Sequence, residues 1–442
     1  LKSLQAQNIQ GNINKESFIL ISLIFILAIV SCMVIYTKKY NGPPIRSDGF
    51  GYYSYLPSLF IDHDLSFKTP IENLQPTTPP RTYGLNVFQE TSRYINKYTI
   101  GTAVLELPSY LIATAITKVL QLDNNGYSPT FQYANTLSAI IYFCIGLLII
   151  YRQLRKRFTL FISVASLLLL VFGTNLFHYS TYDASFSHVY SFATFSVLLY
   201  YLLKYQEDEN KSHSLKISFI LGLTVGMIGL LRVPNVTVAL IPAVLFMASY
   251  QKNRNFAMLV KESALFLLAA TLVFSLQMMC WKYATGHFFV NSYLDETFNW
   301  SNPQFVNFLF SVQKGLFFWA PSLFIAVLGL VLLIKKEFIM GLAISAFMLI
   351  NIYVCSSWWA WSYGHGFGSR PFVDVLPLLA IPLALGTQYI ANKIGTRTVA
   401  LQYLALMVWS CTLMISYWRR LIPGDGTSLE TFKQLIIRFL DF

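Results

Sequence analysis

Residues 131–177 read FQYANTLSAIIYFCIGLLIIYRQLRKRFTLFISVASLLLLVFGTNLF. Two apolar runs, 131–151 and 160–177, flank a segment in which residues 152–157 carry four basic side chains and no acid. An α-helix rises 1.5 Å per residue, so crossing a hydrocarbon layer takes about 20 apolar residues. Each run comes close to that length. An apolar run, a compact basic turn and a second apolar run describe a helical hairpin that crosses a membrane twice, its turn on the side that retains Lys and Arg.

Working outward, comparable runs occupy 18–36, 189–203, 217–231, 233–249, 264–280, 316–334, 339–355, 372–390 and 399–417, giving eleven predicted spans. The expected fold class is all-α, a polytopic membrane protein in one domain over 1–442. Of 442 residues 55% are apolar and 12% charged, more apolar than any soluble core requires. The formal charge of +12, from 32 Lys plus Arg against 20 Asp plus Glu, would suggest nucleic acid for a soluble chain. Its distribution says otherwise. Basic residues recur at Lys252 and Arg254, Lys335 and Lys336, and Lys393 and Arg397, in loops that alternate to share one side. That side reads as cytoplasmic, with Lys2 and Lys15 of the N-terminus, and no nucleic acid partner is expected. The tail 418–442 is then outside. The five cysteines, Cys32, Cys144, Cys280, Cys355 and Cys411, are scattered in or beside predicted spans and read as packing residues. Ile-Val-Ser-Cys at 29–32 superficially resembles a lipoprotein cleavage box, but the first span is read as an uncleaved anchor.

The longest outer segment is 37–130, and loops of that length are functional or disordered. It holds Tyr52, Tyr53, Tyr55, Leu56, Leu59 and Phe60 at helical spacing, a proline-rich stretch from Pro70 to Pro80, and a second apolar stretch, 100–120, containing Glu106 and Pro108. Counting 100–120 as a crossing would put the basic turn 152–157 outside. It is read as a helix along the outer interface or partly re-entrant; a true crossing with inverted downstream topology is the alternative.

Candidate chemistry gathers in the outer segments. Asp48 sits in Arg-Ser-Asp-Gly-Phe-Gly-Tyr-Tyr at 46–53, a carboxylate close to the first span, with glycines expected to let the backbone turn sharply. Tyr53 of this motif is a substrate-binding candidate. Residues 178–188, His-Tyr-Ser-Thr-Tyr-Asp-Ala-Ser-Phe-Ser-His, hold Asp183 and His188 without Lys or Arg. A His, His, Asp metal site is conceivable there, but no spacing signature supports it. Residues 356–371, Ser-Ser-Trp-Trp-Ala-Trp-Ser-Tyr-Gly-His-Gly-Phe-Gly-Ser-Arg-Pro, combine an interfacial aromatic belt with His365 and three glycines leading to Arg370. Backbone N–H groups freed by glycine beside a bidentate guanidinium suit a phosphate at the membrane surface. Arg232 divides two apolar runs and must sit at an outer turn. Lys97 precedes the 100–120 stretch. Together these give Asp48 as a carboxylate base, Asp183 as a second polar group, and Arg370 and Lys97 as phosphate partners, with Arg232, His188, Tyr53 and His365 as further binding candidates.

On these residues the chain resembles the GT-C superfamily of polytopic glycosyltransferases, which includes the protein mannosyltransferases and bacterial aminoarabinose transferase. Their essential Asp in the first outer loop matches Asp48. Their interfacial helices match 52–61 and 100–120, a second outer-loop Asp matches Asp183, and a loop lysine matches Lys97. The resemblance covers most of the chain by topology, through short motifs. It implies a sugar moved from a polyprenyl-phosphate-linked donor to an acceptor hydroxyl of a glycan, glycolipid or protein, on the periplasmic face of a bacterial inner membrane. Because phosphate is already an acidic leaving group, one carboxylate base and cationic stabilisers suffice, where a glycosidase needs two carboxyl groups. Two departures stand out. The large soluble C-terminal domain of some relatives has no counterpart in the sequence, and the Asp48 motif lacks an adjacent second acid, so a divalent metal is possible but not indicated and no cofactor is required.

A transporter or lipid flippase would also use a dozen spans, but would place ionisable groups within them and show inverted repeats. Here the polar groups collect at one face. A noncatalytic scaffold leaves the Asp48 loop and the Arg370 segment unexplained.

Overall fold

The structure, a computed structural model, describes residues 2–38, 41–74, 81–208 and 213–440, with backbone alone for 2–10, 436 and 438–440. Pro76 to Pro80 of the proline-rich stretch and the Lys2 side chain lie outside the described residues. In chain order the principal helices are α1 (Lys2–Tyr36), α2 (Asp48–Tyr53), α3 (Gly101–Val119), α4 (Pro129–Arg155), α5 (Leu160–Phe172), α6 (Leu176–Thr181), α7 (Ser187–Glu207), α8 (Ser214–Leu231), α9 (Leu240–Asn253), α10 (Phe256–Thr285), α11 (Leu323–Lys336), α12 (Phe338–Ser357), α13 (Leu376–Ile394), α14 (Thr396–Trp418) and α15 (Leu429–Leu440). One antiparallel hairpin, β1 (Leu85–Phe88) and β2 (Arg93–Asn96), interrupts the first loop.

Every predicted apolar run forms helix. Seven are long and apolar enough to cross a membrane: α1, α4, α8, α9 with the 3-10 turn before it, α10, α12 and α14. The remaining four differ from expectation for local reasons. The run 160–177 breaks at 173–175 into α5 and α6, where Thr174 turns its hydroxyl back onto the Leu170 carbonyl at 2.6 Å. The run 316–334 becomes a short turn followed by α11, because Pro321 cannot continue a helix. In α7 the serines and tyrosines dilute the apolar signal, and most of the helix is buried against other helices rather than lipid. Helix α13 runs unbroken through Pro382, but its second half carries Thr387, Gln388, Asn392 and Lys393, which dilute the apolar signal.

Ends are defined by capping. Thr159 and Asn255 accept the Ile162 and Met258 backbone N–H groups ahead of α5 and α10, and Gly286, at φ 82°, closes α10. Helices α11 and α13 approach so closely that a Cβ on Gly329 would stand 1.6 Å from the Pro382 carbonyl oxygen, a separation only glycine permits.

The helices alternate in direction. The basic connections gather at one end, where Arg155 pairs with Glu16 at 2.8 Å and Arg157 with Glu207 at 2.5 Å. At the opposite end lie the first loop, the segments 286–322 and 358–375, and the tail. Helix α3 has both its ends there. Thr99 beside its start donates to the Leu231 carbonyl at 3.1 Å, while past its finish Gly126 accepts from the Tyr53 hydroxyl at 2.7 Å. Between these points Glu106 is buried against α4, accepting from Asn135 Nδ2 at 2.7 Å.

Single cysteines placed at Asp123 and Lys252 in a cysteine-free background are expected to react with a membrane-impermeant maleimide from opposite sides of sealed vesicles. Labelling of both from one side would contradict this arrangement.

Candidate functional site

Helix α2 sets the position of Asp48. The glycines around it act by closeness rather than as the expected sharp turn: a Cβ on Gly49 would stand 1.9 Å from Ser185 Oγ. The turn falls instead on Ser47, whose φ of 50° and ψ of −133° are rarely adopted by residues other than glycine. Arg46, one residue earlier, is anchored to Asp183 Oδ1 at 3.1 Å and to the Tyr182 carbonyl at 2.7 Å. On the other side Asp48 Oδ2 is ion-paired to Arg370 at 2.8 Å. The strained turn is therefore held from both flanks.

Asp48 and Arg370 open into a cavity of about 660 Å³ whose walls include Lys97, Arg232, Asn235, Tyr52, Tyr98 and Tyr293, with the buried Trp281 and the more exposed Trp300, Trp358 and Trp359. This size and mixture of aromatic walls with a few convergent polar groups suit a ligand. Burial alone would raise the Asp48 carboxyl, but Arg370, a Tyr98 hydrogen bond and Lys97 together hold it below its ordinary value. Arg370 Nε has no partner among the described residues. A buried donor left over in this way is available to a ligand oxygen.

Behind the cavity is a network that the sequence did not disclose. Asp374, wholly buried, accepts from His188 Nδ1 at 2.8 Å and Asn235 Nδ2 at 2.7 Å and is ion-paired to Arg232, whose Nε lies 3.2 Å away. Arg232 also lies 3.4 Å from His188 Nε2; the guanidinium can only donate, so Nε2 accepts and the ring proton sits on Nδ1, facing Asp374. Asp374 follows Arg370 by one helical turn, the one local signal that could have drawn attention to it.

Other expected residues are placed elsewhere. Asp183 does not line the cavity. Its Oδ2 takes the His178 Nε2 proton at 2.9 Å, while His178 Nδ1 accepts from Trp418 Nε1 at 2.9 Å. Burial would raise this carboxyl, yet His178 and Arg46 hold it far below the usual carboxylate range. His178 and His188 thus serve different carboxylates, which separates the residues of the conceivable His, His, Asp site. Among the described residues no group of three or more His, Cys, Asp or Glu could hold a metal ion. Tyr53 points away from the cavity to the Gly126 carbonyl; its neighbour Tyr52, about 100° round the helix, lines the wall instead. His365 is exposed beside Gly424 and off the cavity.

The glycine-rich segment also departs from expectation. Two of its amides are committed internally: Gly366 N–H to the Gly424 carbonyl at 3.2 Å, and Phe367 N–H to the Tyr179 hydroxyl at 2.9 Å. The buried Lys314 ammonium bridges the Gly366 and Gly424 carbonyls, and burial lowers it to about 8. At Gly366 the glycine shapes the loop that carries Arg370, while Gly364 lies in the cavity wall. Lys97 does reach the cavity, ion-paired to Glu296, another residue the sequence reading passed over.

No family model matches the sequence, and no curated protein matches it. Among solved structures, that of the Archaeoglobus fulgidus oligosaccharyltransferase in complex with Zn and sulfate aligns at a TM-score of 0.41 and 11% identity, over 76% of this chain and 46% of that one. The chain thus spans less than half the length of that protein. A likeness of this size carries no argument about the site.

Replacing Asp374 with Ala leaves the Arg232 guanidinium, the Asn235 amide and the His188 N–H buried without their acceptor. The expected cost is about 3–5 kcal/mol, measurable as a lowered unfolding midpoint in detergent; an unchanged midpoint would show that the network is not structural.

Proposed function

We propose that the chain is an integral membrane glycosyltransferase of GT-C type that moves a sugar from a polyprenyl-phosphate-linked donor to an acceptor hydroxyl. The observation that carries this reading is a carboxylate, Asp48, ion-paired to Arg370 at 2.8 Å in the wall of an aromatic-lined cavity that also holds Lys97 with Glu296, and Arg232, at one end of a membrane bundle. The acceptor oxygen attacks the anomeric carbon as the bond from that carbon to the phosphate oxygen breaks. Asp48 takes the acceptor proton. The electron pair leaves with the polyprenyl phosphate, whose charge is met by Arg370, with Lys97 and Arg232 alongside. A single displacement of this kind inverts the anomeric centre. Asp183, bound by His178 and Arg46, acts by holding the Arg46–Asp48 turn rather than touching substrate. The scheme uses no divalent ion.

The orientation proposed for the site follows from the basic opposite end, which the positive-inside rule assigns to the cytoplasm. The site then faces the periplasm of a bacterial inner membrane. A flippase would move its lipid without breaking the phosphoester, so product analysis separates the two readings.

Asp48→Asn is expected to lower transfer from a polyprenyl-phosphate sugar in proteoliposomes by roughly 10²–10⁴-fold with folding preserved; turnover at the wild-type rate removes Asp48 as the base. A second outcome concerns pH. The kcat/KM profile reports the free enzyme, in which Asp48 is held below its ordinary value, so protonation should not limit the wild type until pH falls below the usual carboxylate range. Arg370→Gln removes the main lowering influence and leaves the desolvation, so the acid limb should move to higher pH as total activity drops. An acid limb unmoved by Arg370→Gln would dissociate the two groups.

A further inference from the structure

A second cavity of about 430 Å³ opens beside the first and shares Thr297, Phe298, Trp358 and Trp359 with it. Its chemistry is different. None of its nine lining residues is charged; the wall combines Trp358, Trp359 and Trp361 with Asn299, Asn302 and Gln304, the last of which donates to the Asn302 carbonyl and accepts from Asn307. Sugar rings present apolar C–H faces and a perimeter of hydroxyls. They bind where an aromatic face lies beside neutral amides that both donate and accept.

The groove is built rather than incidental. An isolated antiparallel bridge joins Phe298 to Trp358. Asn299 N–H donates to the Ser357 carbonyl at 2.6 Å, Gln304 N–H to Ser356 at 2.8 Å and Trp359 N–H to Thr297 at 3.2 Å, pinning the amide-bearing loop to the end of α12. The rings brace one another: Phe298 stacks on Trp300 at 4.6 Å and meets Trp358 edge-on at 4.8 Å. Trp359 stays 59% exposed, yet its Nε1 donates to Glu296 Oε2 at 3.3 Å. Glu296 in turn pairs with Lys97 of the first cavity. A membrane-interface belt would account for exposed tryptophans, but not for fixing one by a hydrogen bond next to the side chains of Asn299 and Asn302. Neither of those amides has a side-chain partner among the described residues.

We infer that this groove is a saccharide subsite, and that the acceptor whose hydroxyl reaches Asp48 is a neutral sugar, free or at the head of a glycolipid, rather than a peptide. The word acceptor rests on the transferase reading; the binding of sugar does not. The subsite is tested without donor, by saturation-transfer NMR on the full chain in nanodiscs with neutral di- and trisaccharides of glucose, galactose, mannose and N-acetylglucosamine, and with the same sugars on a lipid. Saturation should reach the ring C–H protons. It should fall at least fivefold in Trp359→Ala, recover largely in Trp359→Phe, and weaken in Asn302→Ala, a substitution of an exposed side chain that leaves the packing intact. Free sugars matching the lipid-bound ones in affinity assign the site to glycan; a clear gain on the lipid assigns it to glycolipid. Absence of saccharide binding across the panel, binding unaltered in Trp359→Ala, or competition by Ser- and Thr-containing peptides alone would overturn the proposal. Sugar binding that persists in a protein showing no transfer from any polyprenyl-phosphate donor would overturn the transferase reading and leave the subsite standing.

Discussion

A carboxylate that has lost contact with water must be matched by polar partners, and Asp374 is matched by three from different parts of the chain. His188 belongs to α7, Asn235 to the turn between α8 and α9, and Arg232 to the residue that closes α8. These elements are otherwise joined by apolar packing, which tolerates sliding and exchange of similar volumes. Directional bonds to one buried acceptor do not. They fix where α7, α8 and the start of α13 meet, and so fix the floor beneath Arg370, one helical turn away. Removing one partner would leave uncompensated charge in a poorly solvated place, which is why the rest of the site depends on this contact.

The cavity end shows a repeated pairing. Arg46 meets Asp183, Lys97 meets Glu296, Arg232 meets Asp374 and Arg370 meets Asp48. Each cation projecting toward the ligand space is accompanied by a carboxylate, so the local charge is close to balanced although the chain as a whole is strongly basic. The surplus basic residues are at the other end, in the turns between helices. In the proposed reading, orientation in the membrane and ligand chemistry are therefore handled by separate sets of charges.

Much of the fold was legible because bilayer thickness imposes a length on apolar runs, and run length survives in one sequence. The interruptions were not. The break at 173–175 has only a local signal, the Gly173-Thr174-Asn175 stop that closes the first helix, and it is easily lost inside an otherwise apolar window. The site was legible in part. Asp48, Arg370, Lys97 and Arg232 stand out as charges beside apolar runs, and all four line the cavity. Asp374 was hidden in the edge of a predicted span, and its partners lie 186 and 139 residues away in sequence. Periodicity cannot reveal a pairing of that kind. The glycines misled for a related reason. Gly49 and Gly366 read as backbone freedom, whereas their function is set by neighbours that only the folded chain supplies: Ser185 in one case, Gly424 in the other. Tyr52 and Tyr53 could not be told apart because both are aromatic and only the helix register decides which one faces the cavity.

The four ion pairs are not equally easy to part. Asp374 has three partners, Asp183 has both His178 and Arg46, and Glu296 engages Trp359 as well as Lys97. Asp48 has Arg370 as its one ion-pair partner among the described residues, and both side chains border the cavity. A phosphate entering a charge-balanced site needs a cation released to it, and Arg370, with its Nε already without a partner, is the one whose release disturbs least. In the proposed reaction this exchange has a second effect. The guanidinium is the main influence holding Asp48 below its ordinary value against the cost of burial. As Arg370 turns to the phosphate, that influence weakens and the desolvation remains, so the carboxylate becomes more basic at the moment a donor is bound. The same movement that binds the leaving group thus prepares the base, with no separate conformational switch required.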